Sequence, residues 1–245
     1  MHAAYNFNFL ETISQQLKSS LDALTITPLN AGSLAVLLAD QVRLNARQGV
    51  YQLYLGNDLV YLGKADDVAN RLDEHLTKLS GRNGVHLPSV GYKALLLDRS
   101  MSTAANENVL IGLFLPTNPQ MWNGKGFGPK DPGKERDTTR PNYFDTKYPI
   151  RSDYPVPGVE DHESIGSLLG KLKAALPFVF RYGLDGKSPV SALVVDLTGV
   201  PRTAEDLLQA ALRALGAGWK GAILAFGMVL YETTKDYPYG KTLLP

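Results

Sequence analysis

The amino-acid sequence predicts an α+β fold with a small antiparallel sheet at its centre. Two strand-like segments, VYQLYL and LVYLGK, flank the turn residues Gly56-Asn57-Asp58, which is the pattern of a β-hairpin. An amphipathic helix, a third strand and a further helix follow it. This strand–strand–helix–strand–helix order is typical of a small domain that packs helices against an antiparallel sheet.

The sequence predicts a helical arm before the hairpin and three further elements after it. Helical periodicity at residues 8–24 and 32–47 predicts an N-terminal helical arm over residues 1–47. After the hairpin, ADDVANRLDEHLTKL is an amphipathic helix with Asp66 and Asp67 in its first turn. VGYKALLLD then predicts the third strand, and STAANENVLIGLFLP predicts a helix that ends at a proline.

The hairpin domain is expected to span residues 48–180 and to include a glycine-rich, basic loop, MWNGKGFGPKDPGKERDTTRPNYF. Residues 181–245 alternate between strand-like and helical segments, such as SALVVDL and TAEDLLQAALRALGAG. They predict a C-terminal α/β extension whose role the sequence does not indicate.

Composition excludes several classes of function. With 245 residues, 44% hydrophobic and 20% charged, the chain has the composition of a soluble globular protein. The net charge of +1 means that a nucleic-acid site must be a local patch. The absence of cysteine excludes disulfides, thiolate metal sites and a cysteine nucleophile. A polar N-terminal segment and short apolar runs predict a cytoplasmic protein without a membrane segment.

The helix after the hairpin carries a guanidinium and an imidazole beside two tyrosine-bearing strands. Arg71 and His75 are four residues apart, so both project from one edge of the helix. Next to Tyr51 and Tyr61, they suit phosphodiester chemistry, because arginine neutralises phosphate charge and histidine holds or relays a proton. Taken alone, such residues are more often solvent-exposed charges and packed strand tyrosines.

A carboxylate lies on the apolar face of the second helix. Glu107 precedes Leu110, Ile111 and Phe114 at helical spacings of three, four and seven. A buried carboxylate is costly unless it is protonated, paired or bound to a cation. Mg²⁺ fits this situation, since it needs only one or two protein carboxylates. Pairing of Glu107 with a lysine or arginine explains the pattern equally well.

Loops supply candidates for DNA contact. In the glycine-rich loop, glycines permit close approach of the backbone to a ligand, and Trp122 and Phe127 are candidates to stack on bases. A solvated, flexible loop is the common alternative for such a charge run. The glycine spacing does not match a phosphate-binding Walker loop. The residues proposed to contact DNA are Arg82, Asn83, Lys125, Lys130 and Arg136.

Together these residues resemble the GIY-YIG nuclease superfamily. The two name-giving tripeptides are present with one aliphatic exchange each, as Gly49-Val50-Tyr51 and Tyr61-Leu62-Gly63, and Arg71, His75 and Glu107 follow in order. YLGKA and NGKGFGPKDPGKERD are most similar to the type II restriction endonuclease branch that cuts a GC-rich palindrome as a homodimer. The resemblance covers residues 45–145 and thins out towards residue 180.

The resemblance implies a role for each hairpin and helix residue. Tyr51 would act as base for the nucleophilic water or orient it, and His75 would assist in proton removal. Tyr61 would hydrogen-bond near the scissile phosphate, and Arg71 would stabilise the pentavalent transition state. Because the pKa of an ordinary tyrosine is about 10, Tyr51 needs a cationic neighbourhood, which Lys64, Arg71 and a metal would supply.

The resemblance also implies a metal and two further site residues. Glu107 would hold one divalent metal, Mg²⁺, for which Mn²⁺ can substitute. Lys64 would contact the phosphate. The late asparagine of the family corresponds to Asn123 or to Asn118, with Asn123 preferred.

The resulting hypothesis is a Mg²⁺-dependent, site-specific endonuclease of double-stranded DNA, acting as a homodimer in a restriction-modification system. A cognate DNA methyltransferase would then protect host DNA. The alternatives are a repair, mobile-element or structure-specific nuclease with the same chemistry, and a DNA-binding module that does not cleave. A further alternative places the function in the C-terminal α/β extension. The recognised bases cannot be deduced, because groove readout depends on geometry.

Overall fold

The computed structural model describes residues 8–98, 101, 107–128, 133–184 and 188–245. Within these residues the predicted α+β class is confirmed, since seven α-helices accompany sheets in which every strand pair except one is antiparallel. The chain forms two compact units. The first lies within residues 1–77 and 85–127, and the second within residues 78–84 and 128–245.

The first unit contains the hairpin domain. Its four strands are ordered β1-β4-β2-β3, and all neighbours are antiparallel. The predicted order of hairpin, helix, strand and helix is confirmed, although the predicted start of the last helix lies outside the described residues. The elements are α1 (Phe9–Ala23), β1 (Thr27–Pro28), α2 (Ala31–Arg43), β2 (Gly49–Leu55), β3 (Asp58–Ala65), α3 (Val68–Ser80), β4 (Val90–Leu96) and α4 (Glu107–Phe114).

Local polar residues set the ends of the first two helices. The Asn8 side chain accepts a hydrogen bond from the backbone N–H of Glu11, and Asn30 forms a reciprocal capping box with Ser33. Helix α2 ends earlier than predicted. Asn45 adopts a left-handed conformation with φ of 49°, which ends a right-handed helix.

One face of the first sheet packs against α1 and α4. Side chains of β2 and β3 on this face lie in one cluster with Leu17 of α1 and Leu110 of α4, and a register shift between Leu53 and Tyr54 interrupts the simple alternation. The N-terminal arm is therefore part of the hairpin domain's core. The buried residues shared by this cluster are Leu17, Leu21, Val50, Tyr54, Leu59, Leu62, Leu97, Leu110, Phe114 and Met121.

The second unit has its own mixed sheet, ordered β10-β8-β9-β6, in which β6 and β9 are parallel. The second unit also contains a two-stranded antiparallel sheet, which is formed by β5 and β7. No helix among the residues that the structure describes is long and apolar enough to cross a bilayer. The elements are α5 (Tyr143–Lys147), β5 (His162–Ser164), α6 (Ile165–Ala175), β6 (Val179–Tyr182), β7 (Val194–Asp196), α7 (Ala204–Leu215), β8 (Trp219–Leu224), β9 (Gly227–Glu232) and β10 (Gly240–Leu243).

The observed division of the chain differs from the predicted boundary at residue 180. Helix α6, which was assigned to the hairpin domain, packs against α7 of the C-terminal segment. Leu168 and Leu172 of α6 lie in the same buried cluster as Leu208 of α7 and Met228 of β9. Helix α6 and the C-terminal segment bury their apolar faces against each other. The C-terminal unit therefore includes α6 and begins near residue 128.

A buried carboxylate makes the second unit sensitive to acid. Burial alone would raise the pKa of Glu163, but its ion pair with Lys171 and a hydrogen bond from the backbone N–H of Glu160 lower that pKa to about 2. A carboxyl pKa that is depressed on folding stabilises the folded state above the unfolded pKa. That contribution is lost as the pH falls from about 4.5 to 2.

Replacement of Glu163 by glutamine is expected to lower the free energy of unfolding by about 1 kcal/mol at pH 7, because Lys171 is partly exposed, and to remove this acid dependence. Urea unfolding at pH 7 and pH 3 measures both effects. The exposed neighbour Glu160, changed to glutamine, is the matched control. Equal acid dependence in the wild type and in Glu163→Gln would show that the ion pair does not stabilise this unit.

Candidate active site

The second face of the hairpin presents two buried tyrosines. In the β2–β3 register Tyr51 lies opposite Gly63, and Tyr61 lies opposite Leu53, so the two tyrosines are diagonal neighbours on one face. Their ring centroids are 6.2 Å apart. Tyr51 and Tyr61 are both buried.

The two glycines of the hairpin motifs permit this arrangement. A Cβ atom on Gly63 would collide with the hydroxyl and ring of Tyr51, which lies across β3 at this point. A Cβ atom on Gly49 would collide with the backbone carbonyl of Leu95 on β4. The motif glycines are therefore required by close approach rather than by an unusual φ angle.

Helix α3 brings His75 onto this face. Val68 and Leu72 are fully buried and fix the helix by its apolar stripe. His75, only 2% exposed, lies on the tyrosine side, with Nε2 2.8 Å from the hydroxyl oxygen of Tyr51. The imidazole and the phenol therefore share a hydrogen bond inside the protein.

Arg71 connects the two tyrosines to solvent. Its guanidinium donates hydrogen bonds to the hydroxyl oxygens of Tyr51 and Tyr61, and Nη1 lies 2.6 Å from Oε2 of the exposed Glu74. Burial lowers the pKa of Arg71, but the hydrogen bonds to Glu74 and Tyr51 raise it overall. Arg71 thus places a permanent positive charge at the tyrosine hydroxyls.

The tyrosine hydroxyls are less acidic than expected. Burial, and then the neighbouring Tyr61, raise the pKa of Tyr51 above its ordinary value, although Arg71 opposes this. Burial, and then Glu107, raise the pKa of Tyr61 in the same way. At both hydroxyls desolvation outweighs the effect of the Arg71 guanidinium on the pKa. Tyr51 keeps its proton at neutral pH.

Glu107 on α4 completes the cluster. Its side chain is half-buried, on the same helix face as the buried Leu110 and Phe114. Its carboxylate accepts a hydrogen bond from the backbone N–H of Lys64. Burial raises the pKa of Glu107, and the positive charges of Arg71 and Lys64 oppose that effect. The partly desolvated carboxylate is therefore close to the tyrosine and arginine side chains.

The donor set at Glu107 fits a hard cation such as Mg²⁺. A carboxylate whose charge is penalised by burial gains from a divalent ion. Among the residues described here, no group of three or more His, Cys, Asp or Glu side chains is gathered as a metal cluster. Mg²⁺ at this position would have Glu107 as its carboxylate ligand and would take water and phosphate oxygens otherwise.

The open edge of β3 is covered by residues 122–123. The backbone N–H of Trp122 donates to the carbonyl of Val60 at 2.5 Å. The Asn123 side chain accepts from the N–H of Leu62 at 3.0 Å and donates to its carbonyl at 2.8 Å. An edge strand needs such partners. Asn123 therefore fixes the backbone between Tyr61 and Gly63.

Of the two candidate asparagines, only Asn123 braces the hairpin strand. The Asn118 amide instead donates to the carbonyl of Phe114 at 2.8 Å, at the end of α4. Asn123 acts here through the backbone of Leu62. This pairing supports the preference for Asn123 over Asn118.

The two aromatic residues proposed to stack on bases are not exposed. Trp122 and Phe127 are 1% and 2% accessible, so neither is presented for stacking on DNA bases, and that expectation is corrected. Phe127 instead packs on His75 and Tyr61. The composition of the glycine-rich segment suggested an exposed loop, because glycine and lysine surround both aromatic residues.

Arg82 is likewise a correction to the expected DNA contacts. It is 5% exposed, and Nη1 donates to Oδ1 of Asp145 at 2.9 Å and to the carbonyls of Tyr148 and Ala225. Arg136 also forms an ion pair with Asp145, and its guanidinium lies 4.1 Å from the centre of the Phe226 ring. Both guanidinium groups therefore form ion pairs within the second unit.

The other suspected DNA contacts are distributed differently. Asn83 is exposed, and its amide donates to the carbonyl of Ile150 at 3.1 Å in the second unit. Lys125 is half-buried in the first unit, with Nζ 2.7 Å from the carbonyl oxygen of Pro119. Lys130 lies outside the described residues.

No model of a known protein family matches the chain, and no curated protein matches its sequence. The chemistry of the site therefore has to be inferred from its own residues. A hydroxyl that shares hydrogen bonds with an imidazole and a guanidinium can move a proton next to a fixed positive charge. A desolvated carboxylate beside it can hold a cation. This combination suits hydrolysis of a phosphate ester.

Replacement of Gly63 by alanine tests the packing of Tyr51. The added methyl group collides with the Tyr51 hydroxyl, so we expect a loss of about 1–3 kcal/mol in unfolding free energy and a displaced Tyr51 ring. Gly56→Ala is the control, because Gly56 has φ of 63° with open space around it and should cost about 1 kcal/mol. Urea unfolding compares the two. A smaller loss for Gly63→Ala than for Gly56→Ala would contradict the close contact.

Proposed function

We propose that this chain is a Mg²⁺-dependent, site-specific endonuclease of double-stranded DNA, of the GIY-YIG type and closest to its type II restriction enzymes. The observation that carries the proposal is the Tyr51 hydroxyl, which lies 2.8 Å from His75 Nε2 and accepts a hydrogen bond from Arg71. Glu107 and Lys64 lie at the same cluster. These are the residue types, in the order, of the resembled family.

The raised pKa of Tyr51 favours a proton relay over a preformed tyrosinate. As the water attacks phosphorus, its proton passes to the Tyr51 oxygen while the Tyr51 proton passes to Nε2 of His75. The phosphorus–oxygen bond to the leaving group breaks in the same displacement. His75 carries the proton at the end of this step, and no charged phenolate is required in the buried site.

The positive groups stabilise the charge that develops on the phosphate. Arg71 remains charged and reaches both tyrosine hydroxyls, so it can face a phosphate bound beside them. Glu107 would hold Mg²⁺, which when bound would supply Lewis-acid stabilisation of phosphate oxygens. Lys64 adds positive charge next to Glu107.

A restriction role carries two further proposals. The chain would act as a homodimer, because a palindromic site presents the same sequence to two symmetry-related subunits. A separate DNA methyltransferase would protect host DNA. Neither partner is needed for the chemistry of one Tyr51–His75 site.

The deciding experiment is cleavage of plasmid and phage DNA by the purified chain, with Mg²⁺ and with a chelator. Discrete fragments that require Mg²⁺ are the expected result, and sequencing their ends gives the recognition site. A smear or simple nicking would instead indicate a repair or structure-specific nuclease. Bound but uncut DNA would indicate a binding module and would overturn the proposal.

A further inference from the structure

We propose that Phe127 is a positioning residue that holds the His75 ring in the orientation in which Nε2 meets Tyr51. The catalytic consequence rests on the proposed function, whereas the placement of the ring does not. The lysines of the glycine-rich segment suggested that it lies at the surface. Through Phe127, the segment also contributes to the interior of the site.

The contacts of the His75 ring carry this inference. The Phe127 ring is stacked on the imidazole, with centroids 4.9 Å apart and an interplanar angle of 26°. The Tyr61 ring meets the imidazole edge-on, at 5.4 Å and 67°. Phe127 and Tyr61 also contact each other, at 5.0 Å and 77°. The Tyr51 ring is tilted against the imidazole, at 5.6 Å and 49°. Of the three rings around His75, Phe127 is the one that stacks on it.

Stacking adds to the hydrogen bond with Tyr51, because it restricts rotation of the imidazole about χ2. Rotation of a histidine ring about its side-chain bond is soft, and several orientations are accessible without steric restraint. A ring packed parallel to the imidazole restricts that torsion, because rotation drives the imidazole edge into the phenyl face. Phe127 thus fixes the direction of Nε2 without touching the reacting atoms.

The segment that carries Phe127 is fixed at its start and turns twice before it reaches Phe127. Trp122 and Asn123 fix its start to the edge of β3, and the Trp122 ring packs against Phe127 at 4.9 Å. The segment then turns through Gly124 and Gly126, with φ of 69° and 99°. These left-handed conformations favour glycine. The glycines are explained by the path of the chain to Phe127.

The first arm of the test uses the wild-type chain, which avoids any folding defect. The sequence has four histidines, so the His75 imidazole can be assigned in an NMR spectrum by comparison with His75→Gln. We expect nuclear Overhauser contacts between the His75 and Phe127 rings and an upfield shift of the His75 ring protons relative to the exposed His86 and His162. Absence of these contacts would overturn the proposal.

The second arm compares Phe127→Leu with Phe114→Leu. Phe114 is also buried in the first unit, but it lies in the core on the other face of the sheet. Phe127→Leu is expected to average the two tautomers of His75 in the nitrogen-15 spectrum and to lower kcat about 10²-fold, with KM unchanged. Phe114→Leu should leave the His75 spectrum unchanged.

The two readouts separate this inference from the proposed function. A wild-type chain that cleaves no DNA removes the proposed function, while an altered His75 spectrum in Phe127→Leu still supports the positioning role. An unchanged His75 spectrum in Phe127→Leu overturns that role even if the chain is an active nuclease. Equal loss of kcat in Phe114→Leu and Phe127→Leu would also overturn it, because general destabilisation would then explain both.

Discussion

Glu107→Gln is expected to lower the rate of Mg²⁺-dependent DNA cleavage about 10³-fold and to leave the fold intact. Glutamine has the size of glutamate, and its Oε1 can still accept the hydrogen bond from the N–H of Lys64. The change removes only the negative charge that the proposed metal requires. Loss of several kcal/mol of transition-state stabilisation corresponds to this factor, since 1.36 kcal/mol is tenfold.

Stability provides an internal control for this variant. Burial raises the pKa of Glu107, so the charged carboxylate is disfavoured in the folded state relative to the unfolded chain. For an acid whose pKa rises on folding, neutralisation is stabilising at neutral pH. Glu107→Gln should therefore unfold at an equal or higher urea concentration than the wild type while it loses cleavage.

Asp73→Asn is the matched surface control, because Asp73 is an exposed carboxylate on α3. Its cleavage rate should stay within about twofold of the wild type, since exposed charges contribute little. Cleavage is measured on one plasmid substrate at several Mg²⁺ concentrations. A Glu107→Gln variant that cuts DNA at the wild-type rate would remove Glu107 from the metal-holding role.

Local pattern predicted the strands of the hairpin and the helix that follows it, because these elements are adjacent in sequence. The Gly56-Asn57 turn sets the first pairs of β2 with β3, and a register shift between Leu53 and Tyr54, which alternation alone does not predict, then places Tyr51 and Tyr61 on the same face. Helical spacing then placed Arg71 and His75 on one side of α3. Every one of these relations lies within 25 residues of the chain, where periodicity is informative.

Long-range packing is what the sequence could not show. The buried Arg82 forms its ion pair with Asp145, which lies 63 residues further along the chain. An apolar face in α6 is visible in the sequence, but its partner α7 is not, so the sequence did not indicate that α6 packs with the C-terminal segment. Periodicity identifies which face of an element is buried and says nothing about the element that buries it.

The direction in which the tyrosine pKa values shift also depends on long-range packing, because packing determines burial. Neighbouring cations are visible in the sequence, and they suggested that Tyr51 would be more acidic than usual. Desolvation depends on how completely neighbouring side chains, among them Tyr61 and His75, enclose the Tyr51 phenol. In the folded chain desolvation is the larger effect on Tyr51, and it favours the proposed relay through a protonated phenol.

Tyr51→Phe is expected to lower the cleavage rate about 10³-fold, because it removes the oxygen through which the proton passes from water to His75. Tyr54→Phe is the matched control. Tyr54 is a buried tyrosine on the same strand, in the core on the other face of the sheet, and its hydroxyl donates to Gln52 at 2.9 Å. Its loss should cost about 1 kcal/mol in stability and little cleavage.

The pH profile of the wild type separates the relay from a phenolate base. Because the pKa of Tyr51 is raised above its ordinary value of 10, the phenol stays protonated throughout pH 8–9. A relay uses the protonated phenol, so the single-turnover cleavage rate should be level across this range. A phenolate base would make the rate rise about tenfold per pH unit there, since only the deprotonated fraction would react. That slope, absent from Tyr51→Phe, would contradict the relay and restore Tyr51 as the base itself.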